Sequence, residues 1–221
     1  MRKHTFNTDY FKQINSEDRA YWLGFITADG YLNKRGNTLG ITLNIKDACH
    51  LEKFKKAINY TGNLSTSLSQ YSKEHRFTEK IRIEIYSKEL SKDINTYGLD
   101  YKKSTSLNSI TNVPKELMHH FIRGYFDGNG CFFLRKYKIP THNDSPGITI
   151  VSTKNFLNFI SEFIPDVPKS LRYDKRTKES YTLYLASVKR YKNFTDYIYK
   201  DATVYLDRKF LKHQEILRKI K

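Results

Sequence analysis

The 221-residue chain is predicted to be an α+β protein made of two similar halves, residues 1–109 and 110–221, each with the element order α-β-β-α-β-β-α. Two observations predict this class. An apolar, glycine-containing segment recurs after 100 residues, and each copy is followed by stretches in which apolar and polar residues alternate. Recurrence at a fixed offset indicates an internal repeat, and alternation is typical of strands that bury one face.

The first helix of each half is predicted by the recurring segment, "WLGFITADGYL" (22–32) and "IRGYFDGNGCF" (122–132). Ser16 before the first copy and Pro114 before the second are typical of helix starts. The two copies align at small residues, namely Gly24 with Gly124, Ala28 with Gly128, and Gly30 with Gly130. The last pair stands where a glycine commonly ends a helix.

The next two elements of each half are a strand and a helix. In residues 39–58, apolar residues occupy alternate positions from Ile41 onward, and Asp47 is predicted to cap the helix that follows. Residues 147–164 repeat this pattern, with Ser152 as the predicted cap. A half-buried strand of an antiparallel sheet leaves its other face open to solvent or to a ligand.

Two further alternating stretches, residues 80–90 and 180–190, predict in each half a strand that leads into a helix. A basic turn then closes each half, at residues 99–107 and 205–213. The polar strand positions carry Asn, Thr, Arg, Lys and Tyr side chains, which can hydrogen-bond to base edges. An ordinary solvated sheet face is the alternative for these positions.

The composition narrows the class of partner. The formal net charge is +16 and aromatic residues make up 14% of the chain, which predicts a folded and basic protein. Such charge favours a polyanion, with nucleic acid first and an anionic membrane surface second, while charge that only aids solubility is the alternative. Two isolated cysteines, and no signal-peptide pattern or long apolar run, predict a soluble intracellular protein without membrane contact, in the cytoplasm of a bacterium or phage-infected cell or in an organelle matrix.

The spacing of small residues predicts how the two recurring helices pack. Each copy places two small residues one turn apart, Gly24 and Ala28 in the first and Gly124 and Gly128 in the second. This spacing lets helix backbones approach closely, so that Asp29 and Asn129 meet at two negative helix ends. Oxygen ligands at such a place suit a hard cation such as Mg²⁺. A simple helix stop before a hairpin is the alternative.

With these motifs, at residues 22–30 and 122–130, the sequence resembles the single-chain LAGLIDADG homing endonucleases, and the resemblance extends from about residue 10 to about residue 213. It implies two pseudo-symmetric αββαββα half-domains joined by the paired motif helices, with antiparallel sheets that form a DNA-binding saddle. It also implies a monomer that recognises a long asymmetric site in double-stranded DNA. Phosphodiester bonds of both strands would be hydrolysed with Mg²⁺, and Mn²⁺ or Ca²⁺ are other occupants of the site.

The resemblance implies roles for particular residues. The catalytic group would comprise Asp29, Asn129, Lys103 and Lys209, with one lysine near each scissile phosphate. Asp29 and Asn129 would bind the metal together with the carbonyl oxygens of Ala28 and Gly128, and the close helix interface would be formed by Gly24, Ala28, Gly124 and Gly128. DNA-binding side chains are predicted on outward strand positions and in the hairpins, namely Asn33, Arg35, Thr42, Asn44, Lys46, Arg82, Glu84, Arg135, Tyr137, Thr149, Thr182 and Tyr184.

Asn129 departs from the family pattern, which usually has an acid at this position. An amide offers one neutral oxygen, and Asp127 lies on another side of the helix and does not substitute for it. Three interpretations are open: an active enzyme that tolerates Asn129 and favours one strand, a natural protein that has lost cleavage and kept DNA binding, or an Asp→Asn replacement made to trap uncut DNA. The alternative functions are accordingly a cleavage-inactive DNA-binding regulator and an intron RNA maturase.

Overall fold

The computed structural model describes residues 4–70, 77–136, 144–167, 172–173 and 180–220. In chain order, the first half contains α1 (Glu17–Asp29), β1 (Gly30–Leu32), β2 (Thr38–Asn44), α2 (Ala48–Ala57), β3 (Ser65–Gln70), β4 (Phe77–Tyr86), α3 (Lys88–Thr96) and α4 (Lys103–Ser106). The second half contains α5 (Met118–Asn129), β5 (Gly130–Arg135), β6 (Ser145–Ser152), α6 (Lys154–Ser161), β7 (Arg172–Tyr173), β8 (Tyr181–Ala186), α7 (Val188–Tyr199) and α8 (Asp207–Lys219). Short 3₁₀ turns precede α2 (Ile45–Asp47) and α5 (Lys115–Leu117).

Both halves have the predicted order α-β-β-α-β-β-α, followed by one more helix, α4 in the first half and α8 in the second. Each half contains an antiparallel four-stranded sheet, and the strand orders, β1-β2-β4-β3 and β5-β6-β8-β7, correspond. The predicted α+β class is therefore confirmed. One apolar core runs through both halves, and the boundary between residues 109 and 110 stays a prediction. No helix among the described residues combines the length and apolar character needed to span a membrane.

Each sheet buries one face and leaves the other open. In the first sheet Ile41 lies opposite Ile83, and in the second Ile150 lies opposite Leu183, with all four side chains buried. Because successive strand residues point to opposite faces, the polar residues between these apolar ones point to the open face. The alternation in the sequence thus separates a core face from a face that is available to a partner.

The two halves meet along α1 and α5, whose backbones touch. A Cβ added at Gly24 would lie 2.0 Å from the carbonyl oxygen of Phe121, and one added at Gly124 would lie 1.9 Å from that of Tyr21. Neither position has room for a side chain. The two glycines therefore set the distance between the helices, and this close contact brings both helix ends to one place.

Two element ends differ from the sequence prediction. The cap of α6 is Thr153, whose hydroxyl oxygen accepts a hydrogen bond from the backbone N–H of Phe156, whereas Ser152 remains in β6. β2 ends at Asn44, so Lys46 lies in a 3₁₀ turn and not on the strand. The strand before α6 is therefore one residue longer than predicted, and the strand before α2 is two residues shorter.

Two further expectations are corrected. The basic turn predicted at residues 205–213 is mostly the start of α8, a helix of 13 residues whose many charges hide its apolar stripe. Gly30 and Gly130 do end their helices, but with extended backbones, φ −74° and −102°, instead of the left-handed conformation. Glycine is required at these positions because a Cβ would collide with Ile26 or with the ring of Phe126.

Candidate functional site

The two motif helices end side by side. Asp29 is the last residue of α1, and Asn129 is the last residue of α5. A Cβ added at Gly128 would lie 2.3 Å from the Cβ of Ala28 and 3.3 Å from Oδ2 of Asp29. The Asp29 carboxylate therefore borders the backbone of α5, and the helix ends meet as the spacing of small residues predicts.

Lys103, at the start of α4, is bound to the end of α1. Its Nζ donates hydrogen bonds to the carbonyl oxygens of Ile26 (3.1 Å), Thr27 (2.7 Å) and Ala28 (2.6 Å). The last carbonyls of a helix carry the negative end of its dipole, so an ammonium group is stabilised there. Burial lowers the pKa of Lys103 to about 8, and the charge of Asp29 opposes this shift. Lys103 is thus a positive group that balances an acid at a negative helix end.

Lys209, in the first turn of α8, is bound to the end of α5 in the same way. Its Nζ donates hydrogen bonds to the carbonyl oxygens of Phe126 and Gly130, both at 2.6 Å. The residue is only 6% exposed. Burial lowers the pKa of Lys209 to about 8, against the opposing charges of Asp127 and Asp29. The two lysines that the resemblance singles out therefore occupy corresponding places at the two helix ends.

Asp29 lies in a positive neighbourhood. The residue is exposed, yet crowding by surrounding atoms raises the pKa of its carboxyl group, and the charges of Lys103, Lys209 and Arg208 oppose that rise. Nε of Arg208 donates to both carboxylate oxygens of Asp47, at 2.9 and 3.0 Å. Asp47 precedes α2 as predicted, but its side chain makes no capping hydrogen bond and binds Arg208 instead. Sequence reasoning missed this ion pair, because it joins α8 to the start of α2 and no local pattern indicates it.

The side-chain amide of Asn129 serves as a hydrogen-bond donor. Its Nδ2 donates to the hydroxyl of Tyr125 at 3.2 Å, and that hydroxyl donates to Oγ of Ser152 at 2.7 Å. Together with Lys103, these side chains border a cleft of about 260 Å³. An aspartate here could only accept from Tyr125, so the direction of hydrogen bonding along these groups would reverse.

That the oxygen donors at the helix ends bind one hard cation stays a prediction. They comprise the Asp29 carboxylate, the Asn129 amide oxygen and the carbonyls of Ala28 and Gly128, with a single negative side-chain charge. The Ala28 carbonyl is shared, since it also accepts the hydrogen bond from Lys103. In the part of the chain that the structure describes, no three His, Cys, Asp or Glu side chains cluster at metal-binding distances. Mg²⁺ commonly uses one or two carboxylates and completes its shell with water and phosphate oxygens, which these residues permit.

The open face of the first sheet carries a connected polar group. The register places Thr42 opposite Arg82 and Gly40 opposite Glu84. The hydroxyl of Tyr31 donates to Glu84 and accepts from Nε of Arg82 at 3.2 Å, while Arg82 also forms an ion pair with Glu84. Three of the predicted DNA-binding residues, Thr42, Arg82 and Glu84, thus share one face.

The open face of the second sheet brings together the corresponding candidates. The register places Thr149 opposite Tyr184, and Thr182 lies two residues before Tyr184 on the same face of β8. Nη2 of Arg135 donates to the Tyr184 hydroxyl at 2.9 Å. The ring of Phe133 stacks on that of Tyr184, with centroids 5.2 Å apart. The open face of the first sheet also carries two aromatic residues, Tyr31 and Tyr86, which lie opposite Gly40 and Thr38.

The remaining DNA-binding candidates lie outside the sheet faces or have structural contacts. Asn33 uses its amide to close the β1–β2 hairpin, whereas Arg35 in the same hairpin is exposed. Asn44 accepts a hydrogen bond from the backbone N–H of Lys46 at 3.0 Å, and the Lys46 side chain is exposed. Tyr137 lies outside the described residues. For all candidates, contact with DNA stays a prediction.

In both sheets an aromatic ring of the first strand lies across a glycine of the second. A Cβ added at Gly40 would lie 2.2 Å from the ring of Tyr31, and one added at Gly147 would lie 2.2 Å from the ring of Phe133. The glycines therefore make room for flat rings on the open faces. Sequence reasoning missed Tyr31 and Phe133 as members of these faces, and a glycine within each strand was the available signal.

Sequence comparison finds partial similarity. No protein-family model matches the chain. The DNA-directed RNA polymerase subunit Rpo1C of Methanocaldococcus jannaschii is 26% identical over 113 residues, which are 51% of this chain and 12% of that protein. An uncharacterized protein of the same organism is 28% identical over 133 residues, which are 57% of this chain and 46% of that protein. The chain thus spans less than half the length of these relatives.

Structural comparison finds similarity over nearly the whole chain. The LAGLIDADG homing endonuclease I-LtrWI, bound to target DNA, has a TM-score of 0.61 and 14% identity, covering 95% of this chain and 90% of that chain. The homing endonuclease I-WcaI, bound to its DNA recognition sequence, has a TM-score of 0.59 and 17% identity, covering 91% and 90%. I-GzeII in complex with its DNA target has a TM-score of 0.59 and 14% identity, covering 93% and 90%. The resemblance seen in the sequence is therefore confirmed at the level of the fold: the chain has the fold of the LAGLIDADG homing endonucleases.

Proposed function

We propose that the chain is a site-specific DNA endonuclease that binds a long asymmetric duplex site as a monomer and hydrolyses phosphodiester bonds with Mg²⁺. The observation that carries the proposal is the meeting of Asp29, Lys103 and Lys209 at the ends of two close-packed helices, in a chain of net charge +16. The homing endonucleases that share its fold are bound to DNA in their structures. We expect the protein to act inside a cell, where its DNA target lies.

The residues at the helix ends divide into metal ligands and phosphate-binding groups. A divalent cation bound there would stabilise the negative charge that develops on the reacting phosphate. Asp29 and the Ala28 carbonyl would hold the cation, with the Asn129 oxygen as a weaker neutral ligand. Lys103 and Lys209 would each place an ammonium group near one scissile phosphate, where it offsets the phosphate charge.

Asn129 makes the two helix ends chemically unequal. One end supplies a carboxylate and the other an amide, while both supply a lysine. Because a hard cation gains much less from a neutral oxygen than from a carboxylate, we propose that cleavage is impaired and biased toward one strand. In Mg²⁺ the expected product from supercoiled plasmid is nicked DNA with little linear DNA.

The test uses a plasmid that carries a target selected from random duplexes by binding in Ca²⁺. At saturating protein in Mg²⁺, Asn129→Asp is expected to raise linear product by orders of magnitude with little change in DNA affinity, since a metal ligand acts mainly in the transition state. Asp29→Asn in that background is expected to abolish efficient cleavage of both strands. Asn158→Asp adds the same charge at an exposed position of α6 and serves as the matched control.

The outcomes separate the proposal from its alternatives. If the unchanged chain linearises DNA as fast as Asn129→Asp, the second carboxylate is dispensable and the paired-acid interpretation is wrong. A cleavage-inactive DNA-binding regulator is the second candidate, and the neutral Asn129 amide at the end of α5, where the end of α1 has the Asp29 carboxylate, favours it. That candidate predicts tight site-specific binding with no nicking in Mg²⁺ or Mn²⁺. An intron RNA maturase would instead bind its structured RNA more tightly than any selected duplex DNA.

A further inference from the structure

A polar network ties the segment before α8 to the motif helices. This segment, residues 200–206, is called the strap here and connects α7 to α8. Glu17, the first residue of α1, accepts hydrogen bonds from the strap: Oε1 from the backbone N–H groups of Thr203 (2.6 Å) and Val204 (3.2 Å), and Oε2 from the Thr203 hydroxyl (2.9 Å). Burial raises the pKa of Glu17, but these bonds and the charge of Arg123 outweigh it and lower the pKa overall. Glu17 is therefore an ionised anchor for the strap.

Arg123, on α5, anchors the same segment from the other helix. The residue is fully buried. Its Nη2 donates to Oε1 of Glu17 at 2.6 Å, its Nε to the Val204 carbonyl at 2.9 Å, and its Nη1 to the Ile198 carbonyl at 2.8 Å. A buried guanidinium with a carboxylate partner and two carbonyl acceptors is well satisfied. The end of α7 and the middle of the strap are thereby fixed to the seam.

Asp127 links the strap to Lys209. Its Oδ2 accepts hydrogen bonds from the Tyr21 hydroxyl at 2.7 Å and from the backbone N–H of Leu206 at 2.8 Å. The Leu206 carbonyl accepts from the backbone N–H of Lys209 at 2.9 Å, which starts α8. The Lys209 ammonium then returns to the carbonyl of Phe126, the residue next to Asp127. These contacts form a closed ring that fixes both the backbone and the ammonium group of Lys209.

The segment that carries Lys103 is stabilised by different contacts. The positions in α1 that align with Arg123 and Asp127 are Leu23 and Thr27, and the Thr27 hydroxyl donates to the carbonyl of Leu23 within its own helix. The turn before Lys103 is organised locally by Asp100, which accepts from the Lys102 N–H at 2.7 Å and from the Ser106 hydroxyl at 2.9 Å. The two lysines thus have equivalent ends but unequal supports.

We propose that Asp127, supported by Glu17 and Arg123, is a positioning residue for Lys209 and not for Lys103. The proposal rests on the proposed function only where it concerns cleavage. For cleavage, the proposal means that the network supports only the lysine at the end of α5 and therefore affects only one scissile phosphate. Its structural content, that the ring through Leu206 keeps the Lys209 ammonium on the end of α5, is measurable in the protein without DNA.

The first experiment measures how fast each lysine is acylated by an amine-reactive reagent in the native full-length protein, by mass spectrometry. Asp127→Ala is expected to increase labelling of Lys209 about tenfold by freeing the start of α8, with labelling of Lys103 unchanged. Asp127→Asn keeps an oxygen that accepts from Leu206 and is expected to retain the protection. If Asp127→Ala leaves Lys209 protected, or exposes Lys103 equally, the proposal is overturned.

A second variant covers the case in which Asp127→Ala does not fold. Thr203→Val removes only the hydroxyl that donates to Glu17, at an exposed strap residue, and is expected to increase Lys209 labelling several-fold. Unchanged labelling in this folded variant would also refute the positioning role. In strand-resolved nicking, Asp127→Ala is expected to slow cleavage of one strand and spare the other. If the unchanged chain nicks neither strand, the proposed function fails while the labelling result still decides this inference.

Discussion

Replacing Gly124 by alanine tests whether backbone contact between α1 and α5 sets the site geometry. The added Cβ would lie 1.9 Å from the Tyr21 carbonyl oxygen and 2.8 Å from the Phe25 nitrogen, both backbone atoms that cannot rotate away. Overpacking of a core costs about 1–3 kcal/mol, and a clash between two backbones belongs at the upper end. The better helix propensity of alanine returns about 1 kcal/mol. The net loss of unfolding free energy is therefore expected to be about 2 kcal/mol.

The assay is urea unfolding followed by circular dichroism, together with a thermal melt. For a chain of this size the expected loss corresponds to a fall in Tm of about 4–8 °C. Asn158→Ala, at an exposed position of α6, reports the propensity gain without a clash. If Gly124→Ala is as stable as the unchanged chain, or gains stability as Asn158→Ala does, α1 and α5 can accommodate an added methyl group without loss of stability. The small residues would then not define the distance between the helix ends.

Three further predictions concern DNA binding and pH. With some ten phosphate contacts, DNA affinity measured by anisotropy is expected to fall about 10³-fold between 50 and 200 mM salt, and a flat response would contradict nucleic-acid binding. Arg82→Ala is expected to change the selected target sequence, at about 1–3 kcal/mol per lost base contact, whereas an equal loss on all sequences would mean that Arg82 touches only phosphate. Burial lowers the pKa of His213 to about 4, below its unfolded value, so its contribution to stability is full above about pH 6.5 and is lost as the pH falls toward 4. The drop in unfolding free energy from pH 7.5 to 5 is thus expected to be about 2 kcal/mol smaller in His213→Gln, and an equal drop in both proteins would exclude this residue as a cause.

The fold was accessible from the sequence because the repeat and the strand alternation are local patterns. Gly24 and Gly124 are each followed four residues later by another small residue. This spacing predicts a close helix contact, and the structure has that contact. The helix α8 was not accessible in the same way, because its charged residues outnumber its apolar stripe and resemble a solvated turn. Whether such a charged segment forms a helix depends on the surface that it packs against, and this surface comes from residues far away in the sequence.

The candidate site divides along the same line. Asp29 and Asn129 were predictable because they end the two motif copies, and the resemblance supplied Lys103 and Lys209. That these lysines bind the helix-end carbonyls was not predictable, since it depends on contacts between segments far apart in the chain. Asp127 was correctly placed on another side of its helix, but its contact with Leu206 requires knowing where the strap runs.

The charges across the α1–α5 seam make the two halves complementary partners. Glu17 in the first half holds Arg123 in the second, while the aligned positions are Leu117 and Leu23. Two copies of the first half would face each other without Arg123, and two copies of the second would bury two guanidinium groups with no Glu17 to receive them. If either half were fused to a half from another two-motif chain, the new partner would need a residue equivalent to Glu17 or Arg123 at the interface. The ion pair between Glu17 and Arg123 at the α1–α5 interface therefore restricts which half-domains can pair to form a folded protein.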